Sequence, residues 1–219
     1  MEFYESEEQR VEALKKWWQT NSQAVITGLA VGMAVLAGWN AWQNAQHQKA
    51  EEASGMYLQL LRAVDAKQAE PAAKLSERII EQYQGSAYAT YATLFSARLK
   101  AEAGDLAGAK NVLSDLLASS KDDNIKHLAR LRLGQVLLAL GEFEPALKLL
   151  EPLKSRDMGT YESRYEELKG DLYAALQRSS EAVAAYERAK ETGETAPWLE
   201  MKINNLAVAP ATQPAAPAP

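Results

Sequence analysis

The sequence predicts an all-α protein in which one apolar helix, long enough to cross a bilayer, precedes a stack of helical hairpins. Three observations carry that prediction. No Lys, Arg, Asp or Glu stands between Lys16 and Lys49, and the middle of the gap, AVITGLAVGMAVLAGW from Ala24 to Trp39, is apolar. The rest of the chain is rich in Ala, Leu, Glu and Lys, without the alternating Val, Ile and Thr runs that mark strands. A short turn sequence also recurs at a nearly constant interval, the signature of a repeat architecture.

The chain opens with MEFYESEEQRVEALKK, five Glu against three basic residues. The apolar segment follows. Trp18 and Trp39 lie 21 residues apart, about 32 Å at the helical rise and enough for a hydrocarbon core. Trp17 and Trp18 at one end, and Trp39 and Trp42 at the other, stand where indoles favour the headgroup region. A buried core helix and a cleavable signal peptide compete with this assignment. The first is disfavoured by so long an uncharged run near the end of a charged chain. The second is disfavoured by the long acidic leader and by WNAWQ where a small-x-small cleavage site would stand.

Arg10, Lys15 and Lys16 precede the span and only Lys49 follows it closely, so the N-terminus is expected in the cytoplasm and the bulk of the chain on the far side. Within the span Ala24, Gly28 and Gly32 recur every four residues, as do Ala30, Ala34 and Gly38. Such stripes allow close approach of a partner helix, although glycine and alanine are common in membrane helices for other reasons.

Of 219 residues 29 are acidic and 24 basic, a net charge of −5. Scattered basic residues argue against a nucleic-acid surface, which needs them clustered. The absence of cysteine removes disulfides, thiol catalysis and cysteine metal sites from consideration.

The repeats come next. Gly104-Asp105-Leu106-Ala107-Gly108-Ala109 returns as Gly141-Glu142-Phe143-Glu144-Pro145-Ala146 and, more faintly, as Gln177-Arg178-Ser179-Ser180-Glu181-Ala182, at intervals of 37 and 36 residues. Helical stretches precede the copies at Ala87 to Glu102, Asn124 to Leu140 and Tyr161 to Leu176. Shorter ones follow, ending near Ala118, Lys154 and Lys190. Gly104 and Gly141 suit the left-handed residue that closes a helix, and Ala109, Ala146 and Ala182 let the second helix pack closely on the first. Leu133, Gly134, Leu137, Leu150 and Leu153 supply the contacts of the clearest unit, and Leu168, Gly170, Tyr173 and Tyr186 those of the third. This is the tetratricopeptide pattern with slightly long units. Another helical solenoid or an unrelated helical bundle would share parts of it.

A fourth pair is expected before these, from Glu51 to Ala66 and from Pro71 to Tyr83, Pro71 suiting a first helical turn. The glycine-free and proline-free stretch after Trp42 suggests that the membrane helix continues as a short stalk, keeping the repeats near the bilayer. A last segment at Pro197-Trp198 and Met201 to Leu206 is placed to cap the stack. The Pro/Ala sequence after it cannot bury a core. The predicted organisation is a cytoplasmic segment over 1–18, a transmembrane helix over 19–42, a periplasmic tetratricopeptide-like domain over 43–207 and a disordered tail over 208–219.

No phosphate loop, nucleotide fingerprint or nucleophile elbow is present. His47 and His127 are 80 residues apart without an acidic cluster beside either. Asp122 and Asp123 are read as stabilising a helix N-terminus. No catalytic residue, cofactor or metal ligand is predicted.

Taken together, the acidic leader, the Trp-bracketed span, GSAYATYATLFSARLKAEAGDLAGAKNVL, ELKGDLYAAL and MKINNLAV closely resemble the bacterial YfgM family over nearly the whole chain. The resemblance implies a single-pass inner-membrane protein that is an ancillary subunit of the SecYEG translocon. It further implies association with the membrane-bound chaperone PpiD, hand-off of translocated clients to periplasmic chaperones, and a link to a cytoplasmic response regulator of envelope stress. The Ala/Pro tail is not part of the pattern. Taking the inward face of each first helix from the repeat resemblance, Tyr91, Leu94, Arg98, Leu131, Gln135, Arg164, Glu167 and Asp171 are candidates to contact partners. Ala24, Gly28 and Gly32 are candidates for membrane helix packing. The competing role for the inward residues is packing or solvation. A scaffold for another envelope complex is the rival function, with a peptidoglycan-active or proteolytic enzyme more distant.

Overall fold

The computed structural model describes residues 7–193 and 197–208, and among these no strand occurs. The leader upstream of Glu7 and the Pro/Ala tail after Val208 lie outside the described residues. Contacts divide the chain into two units between Ser54 and Gly55. Helix α1, Glu7–Asp65, is unbroken, so the predicted stalk is helical, and the last turns of α1 form the first helix of the second unit.

In the first unit α1 contains the only described stretch long and apolar enough to cross a membrane, with none of its apolar window buried. Two polar side chains at its start satisfy themselves on the helix. The Thr20 hydroxyl donates to the Lys16 carbonyl at 3.0 Å and the Asn21 amide donates to the Trp17 carbonyl at 2.9 Å. That lowers the cost of placing them in an apolar medium. Trp39 and Trp42 stand with ring centroids 5.2 Å apart.

The second unit continues with α2 (Ala69–Gln82), α3 (Ala87–Glu102), α4 (Leu106–Ser119), α5 (Asp123–Ala139) and α6 (Phe143–Leu150). A short α7 (Ser155–Met158) and a 3₁₀ turn lead into α8 (Glu162–Ala175), α9 (Ser179–Thr192) and α10 (Pro197–Val208). From α2 onward the helices pack chiefly on their neighbours in sequence, and α5 also reaches α8 across the short α6. That is the layered order of a helical repeat. Helix α6 ends at Leu150, short of the predicted Lys154, because Pro152 has no N–H to donate back to the helix. Helix α10 runs through Val208, one residue into the stretch assigned to the tail.

One closing turn occurs four times. The N–H of Lys67, Gly104, Gly141 and Gln177 bonds the carbonyl three residues back, and the next N–H bonds the carbonyl five residues back. This is the Schellman arrangement around a left-handed residue, with φ of 54°, 85°, 75° and 61° respectively. Five residues beyond each turn stands Ala72, Ala109, Ala146 or Ala182, all fully buried. The second helices can therefore approach the first ones closely at equivalent places. Side-chain caps reinforce other helix starts. Ser86 accepts from the Ala89 N–H, Asp105 from Gly108 and Asp122 from Asn124 and Ile125, each typically contributing about 1 kcal/mol.

The four turns differ in one respect. Lys67 and Gln177 hold a conformation that costs an L side chain about 1–2 kcal/mol and a glycine nothing. Gln177→Gly is expected to stabilise the unit by up to about 1 kcal/mol, and Gly141→Ala to cost about 1 kcal/mol. Chemical denaturation followed by circular dichroism measures both, and a loss of stability in Gln177→Gly would contradict the account.

The largest core cluster is built from α3 to α8, with Leu113, Leu150, Tyr165 and Leu172 at or near zero exposure. Leu60, Ala72 and Ile79 anchor a smaller cluster at the start of the unit, and Tyr186 with Leu199 one at its end. Fully burying a Leu stabilises by about 1.5–3 kcal/mol. Glu166 is buried between two cations, Lys169 at 2.6 Å and Arg188 at 2.7 Å, which ties α8 to α9.

Candidate partner-binding face

The first helices of successive pairs, α3, α5 and α8, present equivalent positions on one face, and two adjoining grooves run between them. The first encloses about 650 Å³ and is walled by Leu94, Phe95, Ala101, Leu106, Leu128 and Val136. Arg98, Glu102, Arg132 and Gln135 supply its polar edge. The second, about 410 Å³, shares Leu128, Arg132 and Gln135 with the first and adds Tyr161, Arg164, Glu167 and Asp171. The first groove is thus mainly apolar and the second mainly polar, although Leu131 and Leu168 also line the second.

Seven of the eight inward candidates line these grooves. Leu94 and Arg98 lie in the first, Leu131, Arg164, Glu167 and Asp171 in the second, and Gln135 in both. Leu131 is only 6% exposed and also belongs to the largest core cluster, so it forms floor more than rim. Tyr91 lies outside both grooves. It is 42% exposed, with its ring 6.1 Å from that of Tyr57, in a cluster that includes Tyr88 and Phe95.

Leu128, Arg132 and Phe95 were not among the sequence candidates. Leu128 was recoverable, because it stands 37 residues after Tyr91 and 36 before Arg164, the same interval as the turns. Arg132 and Phe95 had no such signal, since each lies one position away from a candidate and only the roll of its helix decides whether it faces the groove.

Charge on this face is partly spent internally. Arg98 holds Glu102 at 2.7 Å. The α10 ammonium of Lys202 donates to Glu167 at 2.8 Å and Asp171 at 2.7 Å, and the Trp198 indole N–H reaches Glu167 at 3.2 Å. Asp171 also accepts from the Tyr186 hydroxyl at 2.7 Å. Burial alone would pull Lys202 down, but the hydrogen bonds it donates to Asp171 and Glu167 outweigh that and raise its pKa. Burial first, and then Asp171, drive the Tyr186 phenol strongly upward. Both groups therefore keep their protons at neutral pH.

His127 lies behind the face. Its ring stacks on Tyr161 with centroids 5.0 Å apart, and its Nδ1 is 2.9 Å from the hydroxyl of fully buried Tyr165. Burial lowers the His127 pKa, and Arg130 adds to that, against smaller opposing effects of Asp123 and the Asp157 backbone. The folded state therefore favours the neutral ring. Its contribution is present above the ordinary pKa of about 6.5 and is lost as pH falls through that value toward the lower folded one. The melting temperature is expected to fall as the pH drops below the ordinary histidine pKa of about 6.5, and His127→Gln to reduce that fall. Glu70, Asp123 and Glu181 are all held below their ordinary carboxylate range by hydrogen-bonded cations and titrate beneath this window. An unchanged pH dependence in the variant would exclude His127 as its source.

On α1, Ala24, Gly28 and Gly32 are exposed. Beyond the adjoining residues and the helix's own backbone, no atom lies within 4 Å of where a Cβ would stand at either glycine. Among the described residues no group of three or more His, Cys, Asp or Glu is placed to hold a metal ion.

A family model described as a tetratricopeptide repeat-like domain matches residues 15–208. Curated proteins named "Ancillary SecYEG translocon subunit" are similar over most of their length. The one from Haemophilus influenzae is 30% identical over 203 residues, covering 91% of this chain and 97% of that protein. The one from Escherichia coli K12 is 29% identical over 213 residues, covering 95% and 100%. Among solved structures, MamA from Desulfovibrio magneticus RS-1 superposes with a TM-score of 0.59 at 17% identity, over 71% of this chain and 84% of that one. The last likeness concerns the fold alone.

Proposed function

Because this chain belongs to the YfgM family of tetratricopeptide repeat-like proteins, we propose that it is an ancillary, non-enzymatic subunit of the SecYEG translocon, held in the inner membrane by α1. The observation that carries this reading is the extent of the similarity to the curated relatives. It spans the apolar helix and the repeats together, at about the same total length. A protein that shared only the repeat fold would match over the hairpins and not over the anchor.

The excess of Lys and Arg before the span supports an N-terminus in the cytoplasm and repeats in the periplasm. There the groove-bearing face of α3, α5 and α8 receives polypeptide, either segments of chains emerging from the translocon or a partner chaperone of the PpiD kind. The protein works by holding these beside the pore, passing clients on to periplasmic chaperones. It supplies surface and position, with no bond made or broken on the chain.

Affinity isolation of the full chain from membranes in mild detergent, with crosslinking before extraction, tests the reading. Co-isolation of the translocon and a membrane-bound chaperone is expected. Enrichment of a different envelope complex in their place would overturn it in favour of a general scaffold. The same experiment addresses the anchor. Gly28→Leu with Gly32→Leu disturbs nothing within the chain, since both positions are open, yet it blocks close helix approach. The yield of translocon crosslinks is expected to fall. An unchanged yield would reduce α1 to a tether.

A further inference from the structure

We infer that the face of α3, α5 and α8 selects polypeptide segments that combine large apolar side chains with carboxylates. The apolar side chains enter the first groove and the carboxylates meet Arg132 and Arg164. The inference rests on the reading of this face as a surface for polypeptide and names the class of segment it prefers.

The apolar half of the argument is the first groove. Its walls are side chains of packed helices whose backbone groups are already bonded within those helices, so it offers few directed polar groups of the kind that orient a small molecule. What it offers is apolar area in a channel that runs on into the second groove through Leu128 and Arg132. That suits successive side chains of a peptide.

The charged half is a mismatch between cations and carboxylates. Arg98, Arg178 and Arg188 each hold a glutamate. Arg132, on an exposed position of α5, is met among the described residues only by the neutral Gln135 amide oxygen at 3.0 Å. Arg164, exposed on α8, has no ion pair or hydrogen bond among the described residues. The two carboxylates that share the second groove with them, Glu167 and Asp171, are already occupied by Lys202. Among the described residues, counting the groove-lining groups with Lys202, four cations face three carboxylates, on a chain whose net charge is −5. The face is therefore locally cationic where the molecule is acidic. Guanidinium groups presented singly beside an apolar channel favour carboxylates, which they can grip with two hydrogen bonds. A lysine-rich segment would find the acidic pair filled and the arginines repelling it. The Pro/Ala tail of this chain contains no acidic side chain and so does not have the chemistry of the occupant.

The test uses the full chain in detergent micelles and fluorescently labelled synthetic peptides, read by anisotropy at low salt. One peptide repeats Leu, Glu and Ser, a second replaces every Glu by Lys, a third replaces every Leu by Ser, and a fourth carries residues 207–219 of this chain. The Leu/Glu peptide is expected to bind at least about tenfold more tightly than each of the others. In Arg132→Gln with Arg164→Gln the advantage over the Leu/Lys peptide is expected to shrink to within about twofold. Both arginines are solvent-exposed and make no ion pair among the described residues, and an unchanged circular dichroism melt establishes that the variant is folded. Arg132→Lys with Arg164→Lys, which keeps the charge, should retain most of the preference. Equal affinity for the Leu/Glu and Leu/Lys peptides, preferred binding of the tail peptide, or a preference untouched by the double Gln variant would each overturn the inference. Translocon co-isolation of the unaltered chain, run in parallel, separates the two readings. If it succeeds while the acidic preference is absent, only the present inference falls; if it fails while the preference holds, the translocon assignment falls and the site stands.

Discussion

Tyr165→Ala is expected to destabilise the repeat unit by about 3–5 kcal/mol, the usual cost of emptying a large aromatic site in a core. Tyr165 is fully buried in the largest core cluster, where it joins α5 to α8. Its hydroxyl also lies within hydrogen-bond distance of the His127 ring and carbonyl, at 2.9 and 3.2 Å. Truncation therefore opens a void at a place that rigid helices on both sides cannot close, and it leaves the imidazole short of a partner. Tyr165→Phe separates the two effects. It keeps the ring and should cost only about 0.5–1.5 kcal/mol for the hydrogen bond. Urea unfolding of the full chain followed by helical circular dichroism measures both. An alanine variant no worse than the phenylalanine variant would mean that the site collapses around the loss.

Gly170→Leu is the second large effect, and it acts by overfilling. A Cβ at Gly170 would stand 2.4 to 2.9 Å from three ring atoms of Tyr186, a separation that atoms in contact do not sustain. Tyr186 is itself buried, and its hydroxyl is committed to Asp171, so the ring cannot simply swing aside. Even Gly170→Ala should cost about 1–3 kcal/mol, and leucine more, by forcing α8 and α9 apart. Combining Gly170→Ala with Tyr186→Leu should cost less than the sum of the two single changes, because the smaller side chain makes room for the methyl group. Strict additivity would show that the two positions do not meet. The separation of α8 from α9 also moves Asp171, so the Gly170 variants are expected to loosen Lys202 and the α10 cap.

The hairpin architecture was legible because its determinants are local. A left-handed turn needs a glycine or tolerates a substitute, and the next helix needs an alanine five residues on. Gly104 with Ala109 and Gly141 with Ala146 state this openly. The turns at Lys67 and Gln177 state it only through spacing, because a non-glycine residue held at positive φ leaves no mark in the sequence. Gly170 and Tyr186 were legible as contacts of the third unit, while the close approach of the ring to the glycine was not. The end of α6 was misplaced by four residues. The periodic apolar pattern continues to Leu153, but Pro152 interrupts the backbone hydrogen bonds before it does.

The candidate face divides along the same line. Its general position followed from repeat register, which puts residues one unit apart on one surface. Its charge did not, since Glu167 and Asp171 read as free acids until α10 is folded back on them. Lys202 lies 35 and 31 residues further along the chain, beyond the reach of any local rule.

By itself the sequence determined the uncharged, Trp-bracketed helix, the all-helical composition, the repeat interval and its turns, and the family, because each is written in residue type and spacing over a few helical turns. Tertiary structure alone decided which groove arginines remain without carboxylate partners among the described residues, which glycine meets an aromatic ring, and how two grooves join across α5. Those outcomes depend on the roll of each helix against neighbours that are distant in the chain. That roll is fixed only when all the buried side chains are packed together.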